Sequence, residues 1–228
     1  MKVRWLGHSC IEILGKNHIL IDPDYLREPL PDIDYIFITH GHEDHLGKVA
    51  EIQASAVLTA KDVCEIARGQ GVPMQRLFAV EPGDVVESVQ VFPGYSSVGW
   101  LSELWARLWG RRHRFPGGTP LSFLVEDDLS LLHIGDGVRA PEGVNPDVLC
   151  LPYRRVPFWS ERFQRVLISL VEELNPRYVI PIHHDIPPWE ADPEELRGRV
   201  SGEVIVPTEW MELALPGSRP GRWPFGGE

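Results

Sequence analysis

The sequence predicts a layered α/β protein, and three observations lead to that class. Short apolar, β-branched runs alternate with amphipathic, helix-like stretches and are then followed by further strand-like runs. Hydrophobic residues make up 43% of the chain, enough for a sizeable core and too many for disorder. A length of 228 residues suits one large domain, or at most two small ones.

The elements follow in order. Residues 3–6 and 11–14 read as strands around Gly7-His8-Ser9-Cys10, and 18–21 as a third strand after the Gly15-Lys16-Asn17 turn. Residues 35–38 are a short buried strand that breaks at Gly41. Helix is expected at 48–53 and 62–70, with a strand at 56–60 between them. Strands at 78–80 and 85–92 flank the Pro82-Gly83-Asp84 turn. Residues 121–125 and 130–134 form a hairpin running into Gly135-Asp136-Gly137, and 148–152 is a buried strand. Ser160 is expected to cap a helix to residue 174. A strand at 178–182 ends in His183-His184, a short helix begins at Pro193, and 204–207 is a late strand.

Two stretches stand apart. In residues 98–118, Trp100, Leu101, Leu104, Trp105, Leu108 and Trp109 recur at helical spacing, with Arg107, Arg111, Arg112, His113 and Arg114 among and after them. This is either an amphipathic helix packed on the domain or on a second chain, or a lid whose Arg111, Arg112 and Arg114 bind an anionic substrate. Contact with a membrane surface is a weaker third option. In the loop after residue 152, Arg154 and Arg155 face either substrate anions or solvent.

A formal net charge of -11 argues against general affinity for nucleic acid or anionic membranes. No apolar run is long enough to span a bilayer, and residues 1–5 enter a strand pattern without a secretory segment. Cys10, Cys64 and Cys150 are scattered and lack metal-binding spacing, as buried thiols in a reducing cytoplasm would be. A cytoplasmic location is therefore expected.

The chemistry concentrates in His40-Gly41-His42-Glu43-Asp44-His45, three imidazoles and a carboxylate at the end of a strand. These are ligands that borderline divalent metals prefer, zinc above all, and a strand end holds them in one geometry. The alternative reading is a polar loop after a core strand.

With Thr39 before it and Leu46-Gly47 after it, the stretch resembles the H-x-H-x-D-H signature of the metallo-β-lactamase superfamily. The resemblance implies a four-layer αββα sandwich over residues 1–215, with an insertion at about 98–118 and a Gly/Pro-rich tail at 216–228. The Gly7-His8-Ser9 element and the Ile21-Asp22-Pro23 end resemble the ascorbate-6-phosphate lactonase-like branch. They make His8 a candidate to contact substrate or to support the metal site, or else a histidine capping a strand end. Asp22 either orients a metal-binding histidine or is a turn residue before proline. Asp136 resembles the aspartate that bridges two metals, and His183 the last ligand, with His184 beside it. His133 is expected to support rather than to ligate. The implied sets are His40 and His42 on a first metal, and Asp44, His45 and His183 on a second, with Asp136 bridging or joining the second. Where the family places a histidine completing the first set, this chain has Tyr95, as a ligand, a hydrogen-bond partner of water or substrate, or a half-buried aromatic. His113 is a substitute for that ligand.

The implied function is a metal-dependent hydrolase. A metal-bound hydroxide attacks a small, anionic ester, lactone or phosphodiester, and Asp44 orients the nucleophile and receives its proton. Zinc is the implied cofactor, one or two ions per chain, with manganese or iron as other options. The expected partner is a small molecule; membrane and nucleic acid are not expected, and a homo-oligomer stays open. Alternatives are a nuclease or phosphodiesterase acting on nucleic acid, and a catalytically degenerate metal-binding protein. Diiron oxidoreductases of the superfamily carry Glu in the place of His42, which argues against that class.

Overall fold

The computed structural model describes residues 1–95, 117–156 and 160–214. The first sheet contains β1 (Lys2–Gly7), β2 (Cys10–Leu14), β3 (His18–Ile21), β4 (Ile33–Phe37), β5 (Ala54–Thr59) and β6 (Leu77–Ala79). The second contains β7 (Val85–Val86), β8 (Val89–Pro93), β9 (Leu121–Glu126), β10 (Ser130–His133), β11 (Val148–Pro152), β12 (Tyr178–Ile182) and β13 (Glu203–Val204). A further strand, β14 (Met211–Glu212), returns to the first sheet beside β1, giving seven strands in each among the described residues. Among the described residues the helices are α1 (Glu43–Leu46), α2 (Lys61–Gly69) and α3 (Ser160–Leu174).

Alternation along the strands builds the layers, because successive side chains on a strand point to opposite faces. On β11, Val148 and Cys150 join the core between the sheets, where Phe37 meets Phe123 with ring centroids 5.1 Å apart. Leu149 and Leu151 face the other way, onto Leu167, Leu170, Val171 and Leu174 of α3. Val63 and Ala67 of α2 close the first sheet. The result is an α–β–β–α arrangement of four layers. At roughly 25 cal/mol per Å² of apolar surface removed from water, this double-faced burial is the main source of stability.

Topology positions the site. β3, β4, β5 and β6 run parallel, as do β10, β11, β12 and β13. Parallel strands deliver their carboxyl ends to one edge, where α/β folds bind ligands. Asp22 follows β3, His40 follows β4, Asp136 follows β10, Arg154 follows β11 and His183 follows β12.

Several boundaries differ from the sequence reading. The helix expected at 48–53 is not formed: the short α1 precedes it, its C-cap Gly47 has φ +41°, and the chain then turns, with the Lys48 N–H donating to the Pro23 carbonyl. The strand expected over 85–92 is a hairpin, with Val86 opposite Val89 and Glu87 at φ +52°. Residues 193–196 are a 3₁₀ turn capped by the Asp192 carboxylate, and the late strand shrinks to β13 because the Pro207 carbonyl bonds the Trp5 N–H instead. Ser160 is the first helical residue, and its hydroxyl bonds back to Val156. The Trp/Arg-rich stretch, with Arg111, Arg112, His113 and Arg114, and the tail at 216–228 lie outside the described residues. Cys10 and Cys150 are buried thiols and Cys64 is half-buried. Among the described residues, no helix is long and apolar enough to cross a membrane.

Candidate metal centre

The floor of the centre is a buried carboxylate. Asp22 is fully buried with φ +51°, and accepts hydrogen bonds from the Thr39 N–H at 2.7 Å and the Thr39 hydroxyl at 2.8 Å. Its Oδ2 also lies 2.6 Å from His45 Nδ1. Burial alone would raise its pKa, but the facing His45 outweighs burial and holds it below the usual range.

This carboxylate sets the protons on two histidines. A carboxylate only accepts, so His45 Nδ1 carries a hydrogen and its Nε2 is the atom aimed at the centre. The Thr39 hydroxyl gives its hydrogen to Asp22, so at 3.0 Å it accepts from His40 Nδ1, and His40 Nε2 turns inward with a lone pair. Burial first, and then His45, hold His40 well below the ordinary imidazole range, while burial lowers His42. Both are therefore neutral near pH 7, the form that binds metals.

Gly135 brings the second sheet against this floor. It has φ +55°, and a Cβ there would lie 2.7 Å from Thr39 Oγ1, so only glycine fits. Behind it, buried His133 meets the Ser9 carbonyl at 2.9 Å through Nε2 and accepts the Gly135 N–H at Nδ1, a supporting role. Asp136 then sits among three rings. Its Oδ1 is 3.1 Å from His183 Nε2 and 3.5 Å from His45 Nε2, and its Oδ2 is 3.7 Å from His40 Nε2. Burial would raise its pKa, but His183, His45 and Arg154 hold it well below the carboxylate range.

His183 closes the ring at φ +63°, its N–H donating to the His8 carbonyl. Its Nε2 is 2.8 Å from His45 Nε2, and its buried Nδ1 has no hydrogen-bond partner among the described residues, with Asp44 Oδ2 3.8 Å away. His42 Nδ1 is likewise 2.8 Å from His40 Nε2. Imidazole nitrogens this close repel unless a proton or a cation lies between them. Nitrogen and carboxylate donors converging in this way fit a divalent metal.

Two groups of three hold ligand atoms within 4.8 Å of one another: His40, His45 and Asp136; and Asp44, His45 and His183. The second group is the set expected from the sequence. In the first, His45 and Asp136 stand beside His40, whereas the sequence reading paired His40 with His42; His42 flanks that group. Asp44, on the first turn of α1, keeps 38% of its side chain exposed.

The remaining candidates are peripheral. His8 is paired with Asp185 at 3.3 Å and meets the centre through its backbone carbonyl. His184 stacks on Trp5 at 4.5 Å and bonds the Pro181 carbonyl. Tyr95 is half-buried, and among the described residues no hydrogen bond joins its hydroxyl to the histidines. Sequence reasoning did not assign the Thr39 relay, and it left Arg154 undecided. Arg154 places Nη1 2.7 Å from Asp136 Oδ1, while Arg155 points outward to Glu195 at 3.7 Å.

Comparison with known proteins gives the family and the fold. A family model described as the β-lactamase superfamily domain matches residues 2–183. A UPF0173 metal-dependent hydrolase from Methanopyrus kandleri is 31% identical, covering 88% of this chain and 91% of its own. Another, from Nanoarchaeum equitans, is 28% identical over 94% of this chain and all of its own. Among solved structures, the metallo hydrolase Igni18 of Ignicoccus hospitalis has the same fold, with a TM-score of 0.67 at 20% identity, over 92% of this chain and 97% of its own.

Proposed function

Because the chain belongs to the β-lactamase superfamily and, within it, to the UPF0173 metal-dependent hydrolases, we propose that it hydrolyses a small ester, lactone or phosphodiester at this centre. The observation that carries the reading is that one buried carboxylate, Asp22, directly and through Thr39, turns the Nε2 atoms of both His45 and His40 toward Asp136 and His183. His40, His42, Asp44, His45, Asp136 and His183 would hold the metal, one or two zinc ions by donor type, with manganese or iron as other candidates. When bound, such an ion supplies Lewis acidity that lowers the pKa of water and polarises a carbonyl or phosphoryl oxygen.

The chain's own residues do the rest. Asp44 is exposed enough to meet water at the mouth, where it orients the attacking molecule and takes its proton. His45 belongs to both groups, and Asp136, 3.7 Å from His40 and 3.1 Å from His183, keeps them in register. Asp22 and Thr39 prevent His40 and His45 from rotating out of line. The likeness of Gly7-His8-Ser9 and Ile21-Asp22-Pro23 to the ascorbate-6-phosphate lactonase-like branch supports lactones within the substrate range.

The test is elemental analysis of the purified protein with a panel of chromogenic esters, lactones and phosphodiesters. Bound zinc, manganese or iron and turnover that His183→Ala abolishes are expected. A metal-loaded protein inert towards the whole panel would remove the hydrolase reading.

A further inference from the structure

The structure assigns Arg154 a role that the ligand set does not include. We propose that Arg154 is the specificity-determining residue of this centre, selecting substrates with an anionic oxygen, carboxylate or phosphate, next to the bond that is cleaved. The inference rests on the hydrolase reading above.

The backbone aims Arg154 from both sides. Tyr153 before it is fully buried, donates its N–H to the Ile182 carbonyl at 2.9 Å, and donates its hydroxyl to Glu195 at 3.2 Å. Arg155 after it donates its N–H to the Trp189 carbonyl at 2.9 Å and pairs with the same Glu195. Arg154, between two anchored neighbours, projects from the end of β11 towards the end of β10, where Nη1 meets Asp136 Oδ1. The pair is at the mouth: Arg154 keeps 16% of its side chain exposed and Asp136 15%.

Charge makes this placement informative. A fixed cation beside a site for divalent cations opposes their binding. Two divalent ions, if both were held, would outweigh the carboxylates of Asp22, Asp44 and Asp136, and Arg154 would add to the excess. An anionic substrate removes that opposition, and it alone benefits from a local positive spot on a chain whose net charge of -11 repels anions at a distance. A guanidinium also matches the planar geometry of carboxylate and phosphate, which an ammonium does not. The proposal uses this charge and shape, and leaves the Asp136 bond in place.

The experiment uses the metal-loaded full chain. Inorganic phosphate is titrated calorimetrically into the parent protein, Arg154→Gln and Arg154→Lys. Turnover is measured on anionic bis(4-nitrophenyl) phosphate and on neutral 4-nitrophenyl acetate. Arg154→Gln should keep its metal and bind phosphate roughly tenfold more weakly, as loss of one charge-assisted contact implies. Its KM for the diester should rise more than its KM for the neutral ester, and Lys should restore part of both effects. Unchanged phosphate affinity, or equal effects on both substrates, would overturn the proposal. So would loss of metal from Arg154→Gln, which would make Arg154 a support for Asp136. If the Gln variant does not fold, Arg154→Met, which keeps the aliphatic stem, is judged by the same results. Phosphate bound through Arg154 in a protein that cleaves nothing would remove the hydrolase reading and leave the anion site standing.

Discussion

His40 and His45, from the first sheet, rest on Asp22 and Thr39, and all four are buried. Asp136, from the second sheet, is held from the rim by Arg154, and His183, at a left-handed backbone position, keeps a buried Nδ1 without a hydrogen-bond partner among the described residues. The first side is therefore oriented from behind: Thr39 fixes the outer nitrogen of His40 and Asp22 that of His45. The second side has an unmatched donor set, which a cation completes. Preorganisation and ligand dependence thus divide along the line between the sheets, and each prediction below tests that division.

The largest effect should come from Asp22→Ala. It leaves the Thr39 N–H, the Thr39 hydroxyl and His45 Nδ1 without their acceptor in a dry site. Stranding a buried charged partner costs about 3–5 kcal/mol, and loss of a group that orients metal-binding histidines weakens metal binding about 10–100-fold. Denaturant unfolding and metal content after chelator dialysis measure the two. If both stay near the parent values, the floor is not what organises the first side.

His183→Asn tests the other side. Asn tolerates the left-handed backbone that His183 occupies at φ +63°, so the fold should survive within about 1 kcal/mol. Metal should nevertheless be lost from the group formed with Asp44 and His45. A large drop in stability together with metal loss would show that His183 holds the sheets as well as the ligand.

How much of this was legible depends on distance along the chain. Three ligating candidates and Asp44 fall within six consecutive residues, so their convergence follows from one strand end. Asp136 and His183 were legible because each follows an apolar strand, where an ionisable group demands a reason. The Thr39–Asp22 relay was harder, since it joins positions on neighbouring parallel strands whose register no local pattern states. Arg154 and Arg155 are adjacent and identical, and only the anchoring of Tyr153 and Trp189 decides that one faces inward and the other outward. Helix 48–53 failed because propensity did not reveal that Gly47 turns the chain and Pro23 takes the Lys48 N–H. β14 was missed because two exposed residues pairing with β1 leave almost no periodic signal.

The pH dependence sharpens the same contrast. Burial alone would lower the His45 pKa, but Asp22 and Asp136 raise it to about 10 in the protein without metal. A folded value above the unfolded value of about 6.5 stabilises fully below pH 6.5 and is lost as pH rises towards 10. Chelator-treated protein should therefore lose stability between those limits, and Asp22→Asn should flatten that slope. Metal displaces the second proton on the ring, so zinc added near pH 7.5 should release protons, measurable at constant pH. No release would mean that His45 is already neutral before metal arrives.

The smallest effect should belong to Arg155→Ala. Arg155 and Glu195 are 58% and 40% exposed, and their closest charged atoms are 3.7 Å apart. An exposed pair of this kind contributes about 0.2–1 kcal/mol, because water screens the charges and two long side chains lose freedom. The Arg155 N–H to the Trp189 carbonyl is a backbone bond that the substitution keeps. Stability should change by at most about 1 kcal/mol, and metal content and turnover should not change. Arg155→Ala is thus the matched control for its neighbour: same residue type, adjacent position, opposite direction. If it weakened phosphate binding as much as Arg154→Gln, the loop would act as one unit, and the distinction between an inward arginine and an outward one would fall.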